Sequence, residues 1–596
     1  MQIKQFAALG VLAVFLSSCG GDINISDDTV SPPGPDVGGP PAVAPSGPCA
    51  FFFDDNDELQ QGAFDGLDCT HSSSFVDFDN PLTQDMTLEN FGEGAHIFSG
   101  SLFVGENFDT LGDAAAAGIT QGGDGPTLTI EPGVTVALQT PTDFVAIQRG
   151  SQLMAIGTPT DPITFTSEQD IRGLTDPEET QTWGGLAIAG FGFLNNCLYE
   201  PGFDPDTNPV LELPDGVGCS DLLEGTVDDT SVNYGGTVPE DNSGVLNYVV
   251  VKHAGFAITD GNELNGITFG AVGSETTLSH IEIYSNFDDG VEFFGGGADL
   301  DFYLAMYIRD DSIDLDQGYY GTITNALVIQ AGGLDEPTPT GAHCVESDGS
   351  AGGTLAVNQM NDYITQATIN NLTCIISAKG PTVAGNGDPG AGINVEEGHE
   401  LTLNSALVTT AYAADAVVTG TGPLDPALQP FTNYCFQLED PADLDNALNG
   451  EIRINTSIFA CADLTANGGR DAALVLNSSD SMDGAAFPDG TTGVEFLEAQ
   501  DNILFATAAD GSTPPDSAGG NGEVGILNSF FSLPLDQMMI DGQLVTASIS
   551  GTPNLGFIGG VTEADDWTQG WTFGLNPGSR DQDLWFEVDN LPPILP

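Results

Sequence analysis

Carboxylates recur at a fixed interval in the middle of the chain. Tyr284-Ser-Asn-Phe-Asp-Asp-Gly-Val-Glu-Phe293 is followed 22 residues on by Met306-Tyr-Ile-Arg-Asp-Asp-Ser-Ile-Asp-Leu315. Asp288, Asp289 and Glu292 thereby correspond to Asp310, Asp311 and Asp314, with Asp316 close by. A period of this size is one coil of a parallel β-helix, whose neighbouring strands lie about 4.8 Å apart. Two ionised carboxylates at that distance repel by roughly 3 kcal/mol at an effective dielectric near 20. Calcium, which takes six to eight oxygens, relieves such repulsion. These seven residues are therefore a candidate calcium site, and Val345-Glu346 and Val395-Glu396 look like further members of the stripe. The competing reading has the same side chains cap turns through Asx hydrogen bonds and pair with Arg309. No twelve-residue EF-hand loop or Gly-Gly-x-Gly-x-Asp run is present.

The cluster also admits catalysis. Asn286-Phe-Asp-Asp-Gly290, Asp310-Asp311 and Gly341-Ala-His343 loosely resemble the polygalacturonase family, whose inverting sites combine aspartates and a histidine on a β-helix. The resemblance implies Asp289, Asp310, Asp311 and His343 as catalytic residues, one acid protonating the leaving oxygen and another activating water. The Gly-His-Gly and Arg-x-Lys elements of that family are missing. A polysaccharide lyase needs a cationic base, and Lys252, Arg309 and Lys379 are the mid-chain candidates. His253, His280 and His399 form no spaced metal pair, and Trp183, Trp567 and Trp571 read as packing or end-cap residues. No nucleophile elbow or phosphate-cradling Gly-Lys-Ser motif occurs.

The elements that position these residues are short strands. From Thr127 onward, apolar alternations such as Leu128-Thr-Ile130, Val134-Thr-Val136, Leu153-Met-Ala-Ile156 and Ile163-Thr-Phe165 are broken by Gly, Pro, Asn or Asp. With 77 glycines and few helical stretches, the chain reads as all-β, helical only over 110–118 and parts of 436–449. Two-residue hairpin signals do not recur, which favours a parallel solenoid. Ala367–Ile376, Leu401–Val408 and Ile452–Phe459 continue the theme, and loops at 195–243, 331–342, 378–392 and 410–450 are expected at the corners.

A wider resemblance rests on Leu128-Thr-Ile-Glu-Pro-Gly-Val-Thr-Val136, Trp183-Gly-Gly-Leu186, Asp289-Gly-Val-Glu-Phe-Phe-Gly-Gly296, Asp310-Asp-Ser-Ile-Asp-Leu-Asp-Gln-Gly318 and Trp567-Thr-Gln-Gly-Trp-Thr572. These motifs resemble a group of bacterial secreted β-helix proteins and lipoproteins. The resemblance implies a single-stranded right-handed parallel β-helix with long corner loops, and leaves the activity open.

The N-terminus resembles a bacterial lipoprotein signal, with an apolar run over Phe6–Leu16 and then Leu16-Ser-Ser-Cys19. That pattern implies cleavage before Cys19 and multiple acyl chains on it, enough for durable anchoring. Position 20 is Gly rather than the Asp that retains many lipoproteins on the inner membrane, so the outer membrane is the expected location. The expected order is a signal peptide (1–18), a lipidated flexible linker (19–48), a capping region (49–124), the β-helix (125–575) and a C-terminal tail (576–596). Setting Cys19 aside, eight cysteines remain. They fall into sequence-near pairs expected as disulfides: Cys49/Cys69, Cys197/Cys219, Cys344/Cys374 and Cys435/Cys461. A net charge of −78 argues against nucleic acid or anionic lipid as partners. The expected function is a lipid-anchored surface β-helix that binds a glycan or a protein partner and holds calcium. The alternative is a carbohydrate-active enzyme on the same scaffold.

Overall fold

Short runs of β-branched and aromatic residues, each ended by a sharp turn, stack in parallel one coil on the next. The computed structural model describes residues 45–54, 58–205, 207–226, 231–259, 262–330, 343–349, 364–377, 391–411, 434–438, 441–460, 491, 493–504, 527–535, 539–540, 543–544 and 556–575. Cys19 and the 576–596 tail lie outside them, as do Lys379 and the expected loop at 331–342.

Nine strands form one parallel wall: Leu102–Val104, Val145–Ile147, Leu186–Ala189, Ile267–Gly270, Val291–Phe294, Ile313–Asp316, His343–Ser347, Ala391–Val395 and Tyr434–Leu438. Val291 pairs with Ile313 and Glu292 with Asp314, the register that the 22-residue repeat predicts. Alternate side chains point inward, so Ile267, Val291 and Ile313 stack as one buried row and Phe269, Phe293 and Leu315 as another. The Phe269 and Phe293 rings stack at 4.7 Å.

The remaining sides of each coil come from longer strands such as Gly244–Lys252, Thr277–Tyr284, Leu300–Met306, Thr322–Ile329 and Thr368–Ser377, again in parallel. Each bends at a non-glycine residue in the left-handed region: Tyr248, His280, Phe302, Asn325 and Asn371, all with φ between 53 and 61°. Such a residue costs about 1–2 kcal/mol. Stacking along the axis offsets that cost. Tyr248 lies on His280 at 4.2 Å and His280 on Phe302 at 4.4 Å, while Asn371 Nδ2 donates to Asn325 Oδ1 at 3.1 Å. A second amide ladder joins Asn370, Asn404 and Asn455.

The coils begin earlier than residue 125. Cys69–His71 pairs in parallel with Ala95–Phe98, and Met86–Leu88 with Thr127–Ile130, because Met86 and Leu88 alternate inward like the later strands. The separate 49–124 cap expected from sequence is therefore already coil over much of its length. Within the 410–450 stretch expected as loop, Tyr434–Leu438 is a strand of the nine-stranded wall and Pro441–Asn449 a helix. The expected helix at 110–118 forms over Leu111–Ala117, with Thr110 accepting from Asp113 N and Gly118 closing it at φ 89°. Three disulfides pair Cys49–Cys69, Cys197–Cys219 and Cys344–Cys374. Cys435 is also disulfide-bonded; Cys461 lies outside the described residues.

Residues 556–575 form a strap lying back along the flank. Gly559 N donates to Ser405 O, Gly560 N to Thr373 Oγ1 and Phe573 N to Glu282 Oε2, so the segment runs against the direction in which coils are added. A side chain at Gly560 would meet Ala326 O at 2.0 Å, which demands glycine there. Trp567 packs edge-on to Phe302 at 5.6 Å, and Trp571 to Tyr248 and His280 at 5.6 and 5.8 Å. Trp183 is fully buried with Nε1 donating to Lys252 O. All three tryptophans pack rather than offer open platforms. Trp571→Ala is expected to cost about 3–5 kcal/mol, read as a lower thermal midpoint and as faster proteolysis of the strap.

Candidate metal centre

The acidic repeat sits where the chain turns into the nine-stranded wall, and a hydrogen-bond ladder sets that turn. Asn265 Oδ1 accepts from Asp289 N, Asp289 Oδ1 from Asp311 N, and Asp311 Oδ1 from His343 N, at 3.0, 3.0 and 2.6 Å. Asp289 and Asp311 thus each spend Oδ1 on the next coil's backbone, a link between coils in place of the local Asx turns expected as the competing reading.

Beyond the turn, the residues that alternate outward make two acidic rows. Thr268, Glu292, Asp314 and Glu346 follow one another in register, and Asn394 continues the row, donating to Glu346 Oε1 at 3.2 Å. Phe294 and Asp316 pair in the second row, which Asp348 and Glu396 extend through a bridge of their own. Glu346 is therefore the further member that the sequence suggests. Glu396 is not in line with it but two positions along, because the long insertion before Ala391 shifts the register.

The carboxylates converge in three groups whose ligand atoms lie within 4.8 Å of one another: Asp289, Glu292 and Asp314; Asp288, Asp289 and Asp310; and Asp311, His343 and Glu346. Asp289, Glu292, Asp311 and Asp314 are 9, 4, 3 and 9 % exposed, whereas Asp288 is half-buried and Asp310 exposed. Asn265 Nδ2 donates to Glu292 Oε2. Asp314 Oδ1 is buried without a hydrogen-bond partner, a position that costs free energy unless something positive meets it.

Electrostatics points the same way. Burial, and then neighbouring carboxylates, push Asp288, Asp289, Glu292, Asp311, Asp314 and Asp348 well above the ordinary carboxylate range. Burial lifts Asp316 to about 7 against a hydrogen bond from Gln317 N, and lifts Glu224 to about 7 with help from Glu263. Glu346 behaves oppositely: burial disfavours its charge, but the His343 imidazole 3.3 Å away overrides this and holds the carboxyl below its ordinary range. His343 Nδ1 also lies 2.8 Å from Asp311 Oδ1. An imidazole thus stands at one end of the wall, while the strongest neighbours of Glu292, Asp289 and Asp314 are acids.

The described part of the 195–243 insertion covers the Glu292 end. The Cys197–Cys219 disulfide closes it, Tyr234 Oη donates to Gln317 Oε1 at 2.9 Å, and Asn195 N donates to Gln317 O. Glu224, carried on this insertion, adds its charge to the field at Asp288, Glu292, Asp314 and Asp316. Of the mid-chain cations, Lys252 is engaged away from the wall. Lys252 pairs with Asp170 at 2.8 Å and lies over the Phe573 ring, and Arg309 donates to Glu178 O.

Sequence reasoning brought together Asp288, Asp289, Glu292, Asp310, Asp311, Asp314, Asp316, His343 and Glu346. It missed Asp348, which the Asp-x-Asp spacing of 314–316 repeated as Glu346-x-Asp348 would have found. It also missed Asn265 and Glu224, which come from outside the repeat and carry no periodic signal.

A parallel coil with an outward acidic wall defines a β-helix protein. A family model described as a pectate-lyase like beta helix domain matches residues 115–422, and the chain belongs to that family. No curated protein and no solved structure matches the chain.

Proposed function

We propose that this protein is a lipid-anchored surface β-helix that binds a glycan without cleaving it, its wall held together by calcium. The family is consistent with a carbohydrate-related role, and the lipobox at Cys19 supports the anchor and an outer-membrane location. The observation that carries the calcium reading is Asp314 Oδ1, buried and unpartnered among Asp289 and Glu292. Calcium at this group would draw on those three carboxylates, with Asp288 and Asp310 adjoining. It would supply positive charge where the strongest neighbours of Asp289, Glu292 and Asp314 are acids.

The same geometry weighs against catalysis here. Asp289 and Asp311 each accept a backbone amide of the following coil and are 9 and 3 % exposed. The test is a screen of neutral and acidic polysaccharides, with calcium and with chelator, scored for both binding and new reducing ends. Binding without product is expected. Cleavage of any acidic polysaccharide that Asp311→Asn abolishes would replace this reading with the polygalacturonase-like one.

A further inference from the structure

Far along the chain from the acidic repeat, the loop after Leu102–Val104 and the turn after Val145–Ile147 line a half-open cavity of about 320 Å³. Its floor is Arg149 and Ser151, its sides include Phe108 and Ile119, and Asp85, Glu106 and Asp124 stand at its rim. The floor is built rather than incidental. Arg149 is 2 % exposed, Nη1 donates to Gly235 O at 2.8 Å, Nη2 donates to Phe108 O, and the guanidinium lies 5.4 Å from the Phe191 ring centroid. Its Nε–H has no hydrogen-bond partner. Glycine is required beside the cavity: a side chain at Gly105, which has φ 87°, would meet Ser151 Oγ at 2.1 Å.

We propose that this cavity is a subsite for one neutral hexose unit of a glycan. The volume falls at the lower end of small-molecule sites. Carboxylates at the rim accept hydroxyl hydrogens, Arg149 beneath them supplies positive charge, and Phe108 with Ile119 offers an apolar face to the C–H side of a pyranose. Three rim acids against one buried cation disfavour a uronate. Asp85 Oδ1 is occupied by Thr127 N and Asp124 Oδ2 by the 120–121 turn, which fixes both carboxyl groups in place and leaves each a second oxygen.

This subsite rests on the glycan-binding reading, and the experiment separates the two. Saturation-transfer NMR is run on the full mature chain with D-glucose, D-galactose, D-mannose and D-galacturonate. The variants are Ala117→Trp, which fills the cavity from an exposed helix position, and Glu106→Gln at the rim. At least one neutral hexose is expected to bind, D-galacturonate at least tenfold more weakly. Ala117→Trp should abolish the hexose signal with an unchanged thermal midpoint, and Glu106→Gln should weaken it severalfold. Absence of any hexose signal, or its survival in Ala117→Trp, overturns the subsite. If polysaccharide binding then persists, the broader reading stands without it; hexose binding with no polysaccharide binding would sink the broader reading alone.

Discussion

Calcium is expected to raise the thermal midpoint of the protein strongly at pH 7.5 and progressively less as the pH is lowered to 5. The sign follows from the wall. Asp288, Asp289, Glu292, Asp311, Asp314 and Asp348 titrate well above their ordinary values, and Asp316 and Glu224 at about 7. A carboxyl whose folded value is raised holds its proton more tightly in the native state. Each such group therefore withdraws stability as the pH rises from about 4 through its folded value. Calcium replaces the protons, so its benefit is greatest where they have left.

A plain pH scan would blur this, because burial lowers His71 and His399 to about 3 and His280 to about 4. Those histidines contribute stability above their ordinary 6.5 that is lost as the pH falls. The difference between calcium and chelator at each pH cancels their contribution, provided they bind no ion. At a free calcium concentration a hundredfold above Kd the gain amounts to about 2.7 kcal/mol per site. Equal midpoints with calcium and with chelator at pH 7.5 would remove calcium from the account.

Asp314→Asn is expected to reverse sign with conditions. In chelator at neutral pH it should stabilise the fold by about 1–3 kcal/mol, since Asp314 otherwise either ionises beside acids that repel it by roughly 3 kcal/mol at a dielectric near 20 or holds a proton far above the ordinary carboxylate range. In saturating calcium it should be less stable than the natural chain, because the amide brings no negative charge to the ion and replaces one of the two carboxylate oxygens with an NH2 group that cannot ligate it. The amide is nearly isosteric, which separates charge from packing. Thermal denaturation of both proteins in both buffers provides the readout. Destabilisation in chelator as well as in calcium would mean that Asp314 is held by protein contacts alone.

The wall could be read from sequence as far as its spacing stayed regular. Asp289 over Asp311 and Glu292 over Asp314 follow from a strict 22-residue step, in which each coil repeats its neighbour's turn. The next coil is longer, so Glu346 pairs with Asp314 only after an insertion, and Glu396 falls in the row of Asp316 rather than that of Asp314. Local alternation identifies which side chains face outward but not how many residues a corner loop absorbs. The covering pieces leave no periodic trace at all. Glu224 reaches the wall on an insertion, and the strap at 556–575 reaches Tyr248 and Glu282 from about three hundred residues away, through contacts that depend on the finished stack. Cysteine pairing was more tractable, since Cys49–Cys69, Cys197–Cys219 and Cys344–Cys374 close short loops between neighbouring segments.

The central claim, that the outward carboxylates are a calcium wall, is tested most directly by anomalous diffraction from crystals grown with calcium at neutral pH. An anomalous peak is expected between Asp289, Glu292 and Asp314, absent from crystals of Asp314→Asn. A well-ordered wall with no peak at those residues, in crystals where calcium is bound elsewhere, would contradict it.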